Sequence, residues 1–345
     1  MSISLRTFIE QIKTRPAIIW ATFHFILLLI VRIITGFNGL YGQDSHAYFG
    51  HSQALHAWMQ GGPTPGKFFW PEGFPFLGAL FSYLFEPIFA LQMISLLAAS
   101  LSVYFFARLL QQLYPQVRHH APFSFLLIGL SPLVFRGGLL IMAESQSLAF
   151  IIAGSYFILR YQFTTHKSAI FLAGLCIGAA IITRYPAALL LSLPTAWLGW
   201  FALKKRDYAG IFLLLAGLFL TLAPQFFWGN NHSNGLADHH FLSQWSVGNF
   251  FRQDFQMQDG AMHYRFINLA YVMGAYGHPF LVGLSGLLGL FLLLRSGASV
   301  WGRWAQVPVI LYLLFIGGIP FQNTRFLILP LPFVMILVFG TLAAG

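Results

Sequence analysis

The chain has 345 residues, of which 57% are hydrophobic and only 8% charged, with a mean hydropathy of +0.71 and a formal net charge of +10. Its apolar runs are too long for the core helices of a soluble protein, and too continuous for the period-two alternation of barrel strands. Composition therefore excludes both classes and leaves an all-α, polytopic transmembrane helical bundle.

The basic residues sit singly or in short clusters between apolar runs, as loop charges that set orientation, so no nucleic-acid partner is expected. The lone cysteine, Cys176, lies inside an apolar run, which removes disulfide frameworks and cysteine-based zinc sites.

The amino terminus has the outline of a signal peptide, with Arg6, Lys13 and Arg15 before an apolar run from Pro16. It has no small-x-small cleavage site and stays apolar through Ile34, so an uncleaved first span is expected. The expected spans are 16–36, 87–110, 121–137, 141–160, 168–183, 186–203, 209–228, 276–294, 305–320 and 326–343. The piece 73–85 is ambiguous, because a helix of that length reaches only about 20 Å against a hydrocarbon core of about 30 Å.

With 73–85 in the interface or re-entrant, one side collects twelve of the nineteen basic residues, among them Arg15, Arg108, Arg160, Lys204 and Arg303. That side is expected to be cytoplasmic. The same topology places Asp44, Glu72, Glu86, Glu144, Asp238, Asp254 and Asp259 on the outer face, and only Glu10 and Asp207 inside. One integral-membrane domain, 1–345, is expected, with two long outer segments at 37–86 and 229–275. The second is polar and turn-rich, as in a loop that closes over a site.

The candidate residues gather on that face. Asp44, in Tyr41-Gly42-Gln43-Asp44-Ser45-His46, sits about eight residues beyond the first span, where a general base could reach an acceptor; a solvated loop acid or helix N-cap would read the same way. Glu144 lies a few residues inside the fourth span, where an ionisable group costs about 2.5–3.5 kcal/mol at the centre and less near the end; such a residue is functional by default. Arg184 and Arg325 fall at outer span ends, suited to gripping a lipid-borne phosphate bidentately, or to headgroup anchoring. Lys67, before Phe68-Phe69-Trp70-Pro71-Glu72, is a second phosphate contact or an interfacial anchor.

His46, His51 and His56, five apart, do not form one ligand face on a helix. The denser group His232, Asp238, His239 and His240 could hold a divalent ion with Asp44 or Glu144. The sequence contains no Walker A, no dinucleotide-binding turn, no His-Glu-x-x-His and no Gly-x-Ser-x-Gly, so cytoplasmic nucleotide chemistry is not expected.

Taken together these segments resemble the GT-C superfamily of membrane glycosyltransferases, in the branch of protein O-mannosyltransferases and the lipid A aminoarabinose transferase. The Asp44 and Tyr48 loop resembles the family's acidic motif. Trp70-Pro71-Glu72-Gly73-Phe74-Pro75-Phe76-Leu77 resembles its Pro-Pro-Gly-Tyr-Pro-Leu-Leu segment. Leu130-Ser131-Pro132 through Glu144-Ser145, Ile182-Thr183-Arg184-Tyr185-Pro186 and Arg325 through Phe333 follow in the family's order.

The resemblance implies a polyprenyl-phosphate sugar donor and inverting transfer to a lipid, glycan or protein acceptor at the outer face of a bacterial inner membrane. It implies Asp44 as base, Arg184 and Arg325 with Lys67 on the leaving phosphate, and Glu144 orienting acceptor, donor or an ion. Tyr48, Glu72 and Tyr185 are expected to contact substrate. Ser45 stands where many relatives have a second acid, and Glu72 where the motif has its second proline, so the division of roles among the three acids stays open. The rival readings are a transporter or flippase, whose charges would cluster near the midplane, and an O-antigen-ligase-like enzyme with a lipid-diphosphate donor.

Overall fold

The computed structural model describes residues 16–117, 119–232, 240–257, 260–274 and 300–344. The expected span 276–294 lies outside them. In chain order the helices are α1 (Pro16–Thr35), α2 (Gly42–Met59), α3 (Gly73–Phe81), α4 (Pro87–Leu113), α5 (His120–Ser124), α6 (Pro132–Leu139), α7 (Ala143–Thr164), α8 (Lys167–Thr183) and α9 (Ala187–Lys204). After these come α10 (Tyr208–His232), α11 (His240–Ser243), α12 (Asn268–Gly274), α13 (Val300–Gly318) and α14 (Leu331–Ala344). Among the described residues the strands form one antiparallel hairpin, Asp254–Met257 with Gly260–His263, within the segment 229–275.

Among the described residues, α1, α4 and α9 are each long and apolar enough to cross a membrane, and α5–α6 makes a fourth candidate that is bent. Sequence runs this piece as one span, 121–137; the structure breaks it by 72° between Gly129 and Pro132. The cause is local. A π-helical turn, Phe125–Gly129, ends the first half, and Pro132 can start a helix but has no N–H with which to continue one. The carbonyl of Gly129 is met by His24 Nε2, 3.0 Å away and buried in α1.

The ambiguous 73–85 piece is settled by length: α3 has nine residues, about 14 Å of helix, and cannot span. The first long outer segment is thus two short helices, α2 and α3, joined by the turn-rich 60–72 stretch. Glu86 then caps α4, accepting from the amides of Ile88 at 3.1 Å and Phe89 at 3.0 Å, with Pro87 in the first turn.

The core follows from which helices are apolar all round. In α14, residues 331–339 are buried without a polar face, which marks it as a central helix. In contrast, α9 and α10 expose Trp197, Trp200, Phe212, Leu215 and Phe219, the outward face of a bundle solvated by lipid. Helices α8 and α10 pack closely through small residues: a Cβ added at Gly217 would stand 2.6 Å from the carbonyl oxygen of Phe171. A second, smaller cluster (Tyr48, Phe68, Phe74, Leu91, Ile94 and Ile141) packs the first outer segment onto α4 and the start of α7.

One buried side chain ties this end together. Gln92 of α4 is fully buried; its amide donates to the carbonyls of Phe37 (3.1 Å) and Leu139 (3.0 Å) and its oxygen accepts from Arg32 Nε (2.8 Å). It joins the exit of α1 to the α6–α7 break, the two places from which Asp44 and Glu144 project. Gln92→Leu strands both carbonyls and the guanidinium, and is expected to cost about 2–3 kcal/mol. The check is thermal unfolding in detergent, where a midpoint equal to wild type would contradict the role given to Gln92.

Candidate active site

The site is assembled from helix ends, each of which favours the charge it carries. Asp44 lies in the first turn of α2 and Glu144 in the first turn of α7, where the unpaired amides and the helix dipole favour an anion. Arg184 is the C-cap of α8, where a cation is favoured. Arg325 stands in a 3₁₀ turn, Thr324–Ile328, whose start is fixed by Asn323 Oδ1 accepting from the Arg325 amide at 3.1 Å.

Ser45, at the position where relatives carry a second acid, has a different task here. Its hydroxyl accepts from the Tyr41 amide at 2.6 Å and donates to the Gly42 carbonyl at 3.1 Å, closing the turn that opens α2.

Four of the expected residues meet in one alternating chain. Arg184 Nη2 donates to Glu144 Oε1; Arg325 Nε lies 3.3 Å from that same oxygen; Arg325 Nη2 donates to Asp44 Oδ2. Burial grades along it: the side chains of Glu144 and Arg184 are 3% and 6% exposed, those of Asp44 and Arg325 both 22%. Glu144 Oε2 and Arg184 Nε lack a hydrogen-bond partner among the described residues.

Tyr48, one turn after Asp44, is fully buried beside these four, and its hydroxyl is also unpartnered. Burial pushes that hydroxyl well above its ordinary pKa; Arg184 pulls it down and the two acids push it up. It is a neutral donor at any working pH.

Two cavities open from this chain and share Glu144 as a wall. One, of about 210 Å³, is apolar (Trp70, Tyr185, Leu189, Leu242 and Phe315 among its lining) and has Arg184 at its head. The Trp70 ring lies under the Arg184 guanidinium at 4.9 Å. The other, of about 290 Å³, is mixed: Asp44, Arg325, Arg136, Tyr41 and Asn323 stand among walls that are otherwise largely apolar, with Leu133, Leu140, Met142 and Phe321.

Glu72 is not part of the chain. It is buried against His51, whose Nε2 stands 2.6 Å from its Oε2, and the His51 ring stacks on Phe68 at 4.1 Å. Its amide donates to Gln225 Oε1 at 3.2 Å, which fastens the Trp70-Pro71-Glu72 corner to α10. Gly73 follows directly; a Cβ there would come within 2.7 Å of the Ile182 carbonyl oxygen, so this corner rests on the last turn of α8 just before Arg184. The five-residue spacing predicts no shared ligand face, and His56 makes a contact of its own, with Nδ1 2.9 Å from the Ala79 carbonyl. The pairing of His51 with Glu72 has no signal in the sequence.

Lys67 is exposed and takes part in none of these contacts. Asp238 and His239 lie outside the described residues, as does the His240 side chain. Among the described residues no three His, Cys, Asp or Glu side chains form a metal-holding group. The second outer segment docks on α13: Asn249 Nδ2 donates to the Gly318 carbonyl at 2.7 Å, and Asn268 Nδ2 to that of Ile319 at 2.6 Å. That docking brings Leu242 into the apolar cavity.

No family model and no curated protein sequence matches this chain. Among solved structures it is similar to ArnT from Cupriavidus metallidurans, bound to undecaprenyl phosphate (TM-score 0.61, 15% identity) and in the apo state (TM-score 0.58, 14% identity). The match covers 92% of this chain. It covers 59% of the ArnT chain, so this chain spans about three-fifths of that protein's length. Over nearly the whole of this chain the fold resembles that of ArnT.

The buried pair gives a test of the geometry that needs no substrate. Arg184→Met leaves Glu144 with only the longer contact to Arg325, and is expected to cost about 3–5 kcal/mol. Adding Glu144→Met should recover most of that loss. A double-mutant cycle on thermal unfolding reads the coupling, and additive losses would mean that the two side chains do not share a bond.

Proposed function

We propose that the chain is an inverting glycosyltransferase that moves a sugar from a polyprenyl-phosphate donor to a hydroxyl or amine on a lipid, glycan or protein acceptor at the extracytoplasmic membrane face. The observation that carries this reading is the meeting of Asp44, Arg325, Glu144 and Arg184 where an apolar cavity shares a wall with one that holds Asp44 and Arg325. The ArnT fold, and the undecaprenyl phosphate bound to that protein, support it.

On this reading the isoprenoid lies along the apolar cavity with its phosphate at Arg184, and the acceptor enters the other cavity beside Asp44. Asp44 Oδ takes the acceptor proton as the acceptor atom bonds to the anomeric carbon from the face opposite the phosphate. The bond from that carbon to the phosphate oxygen breaks, and its electron pair leaves with the lipid phosphate. Negative charge grows on that phosphate in the transition state, where the guanidinium groups of Arg184 and Arg325 stabilise it.

Pairing with Arg325 holds the Asp44 carboxylate in place before the acceptor arrives. Glu144 keeps the two arginines apart and aimed. Lys67 is left as an interfacial charge.

Sugar transfer in membranes supplied with a panel of radiolabelled polyprenyl-phosphate sugars and an endogenous acceptor extract tests the reading. Asp44→Asn should lower the rate about 10²–10⁴-fold, and Arg184→Met about 10²–10³-fold, in variants that accumulate normally. Transfer that persisted in Asp44→Asn would move the base to another acid. Donor binding without transfer by the wild type would overturn the enzyme class.

A further inference from the structure

The bundle has a second polar feature, at the end opposite the Asp44 cluster. A cavity of about 610 Å³ lies between the start of α1, the last turns of α4 and the start of α5, lined by Trp20, Tyr104, Arg108, Gln111, His119 and His120 with small apolar residues between them. No acid lines it. We infer that this cavity binds the headgroup of an anionic phospholipid, with Arg108 as the phosphate ligand.

The first argument is the state of Arg108. Its Nη1 donates to Gln111 Oε1 at 2.9 Å, while its Nε is buried without a hydrogen bond. Among the described residues no carboxylate pairs with it, whereas Arg184, Arg325 and Lys167 each have one. A guanidinium held by a neutral amide and facing an acid-free cavity is a site for an outside anion, and a phosphodiester matches its fork.

Depth is the second argument. Arg108 lies 21 residues beyond Pro87, the outer start of α4, or about 32 Å of helix rise, which is close to the thickness of the hydrocarbon core. The cavity therefore opens at the level of the opposite headgroups, where the amphipathic rings of Trp20 and Tyr104 are also at home.

Shape decides between a lipid and a free anion. Inorganic phosphate would fill a small part of this volume and leave Ile18, Ala107 and Pro122 facing nothing apolar. A phospholipid headgroup with the first carbons of its chains uses both kinds of wall.

The purified full-length protein, equilibrated with mixed phosphatidylglycerol and phosphatidylcholine, is examined by native mass spectrometry for retained lipid. Wild type should retain phosphatidylglycerol selectively. Arg108→Gln should retain it about fivefold less, the worth of one basic residue near an anionic surface. Arg108→Lys should keep part of the selectivity, and Arg252→Gln, an exposed cation at the other end, all of it.

Equal retention by Arg108→Gln and wild type would overturn the assignment, and so would displacement of the lipid by millimolar inorganic phosphate. Should Arg108→Gln not accumulate, thermal unfolding of the wild type decides. Phosphatidylglycerol must raise its midpoint where phosphatidylcholine and inorganic phosphate do not, and no selective rise would overturn the site.

Discussion

The constraint on which the rest of this structure depends is the burial of Glu144. A carboxylate taken out of water at a membrane edge costs several kcal/mol unless cations and hydrogen bonds replace its hydration. Here Arg184 bonds to one oxygen and Arg325 approaches the same one, so the acid is tolerable only while α7, α8 and the 3₁₀ turn before α14 hold their present places. The helix ends lower the cost further, since two acids sit at N-termini and one arginine at a C-terminus. The break before α7, the Gln92 node and the corner at Gly73 serve that convergence. Each fixes the direction of a backbone that delivers a charge.

Each charged residue could be nominated separately from sequence, because an ionisable group beside an apolar run is costly and stands out in a chain with nine acids. Their pairing could not. Asp44 and Arg325 are 281 positions apart, Glu144 and Arg184 forty, and no local periodicity encodes such a contact. The legible level was therefore which charged residues stand out; the illegible one was which atom meets which.

Glu72 shows the limit most clearly. The sequence leaves the division of roles among Glu72, Asp44 and Glu144 open, and it carries no sign that the Glu72 carboxylate meets His51 while its amide meets Gln225. The bent α5–α6 unit failed in sequence for a related reason. Apolar residues run across it without interruption, and only Ser131-Pro132 marks the place where hydrogen bonding stops. The sequence left 73–85 open between a span and an interfacial piece, and the structure gives a helix of nine residues there. A segment that cannot reach across the hydrocarbon must lie elsewhere, whatever its composition.

The alternation of acid and base also bears on how a lipid-phosphate site can turn over. On the proposed reading, two bare guanidinium groups would hold the spent carrier, a phosphate monoester with one more charged oxygen than the phosphodiester donor, more tightly than the donor itself and so delay its release. With Glu144 between them and Asp44 at the end, each guanidinium is already partly neutralised, and a phosphate gains only the difference between its own contacts and those it displaces. The acids that make burial of the arginines tolerable would then be the same ones that ease release of the carrier.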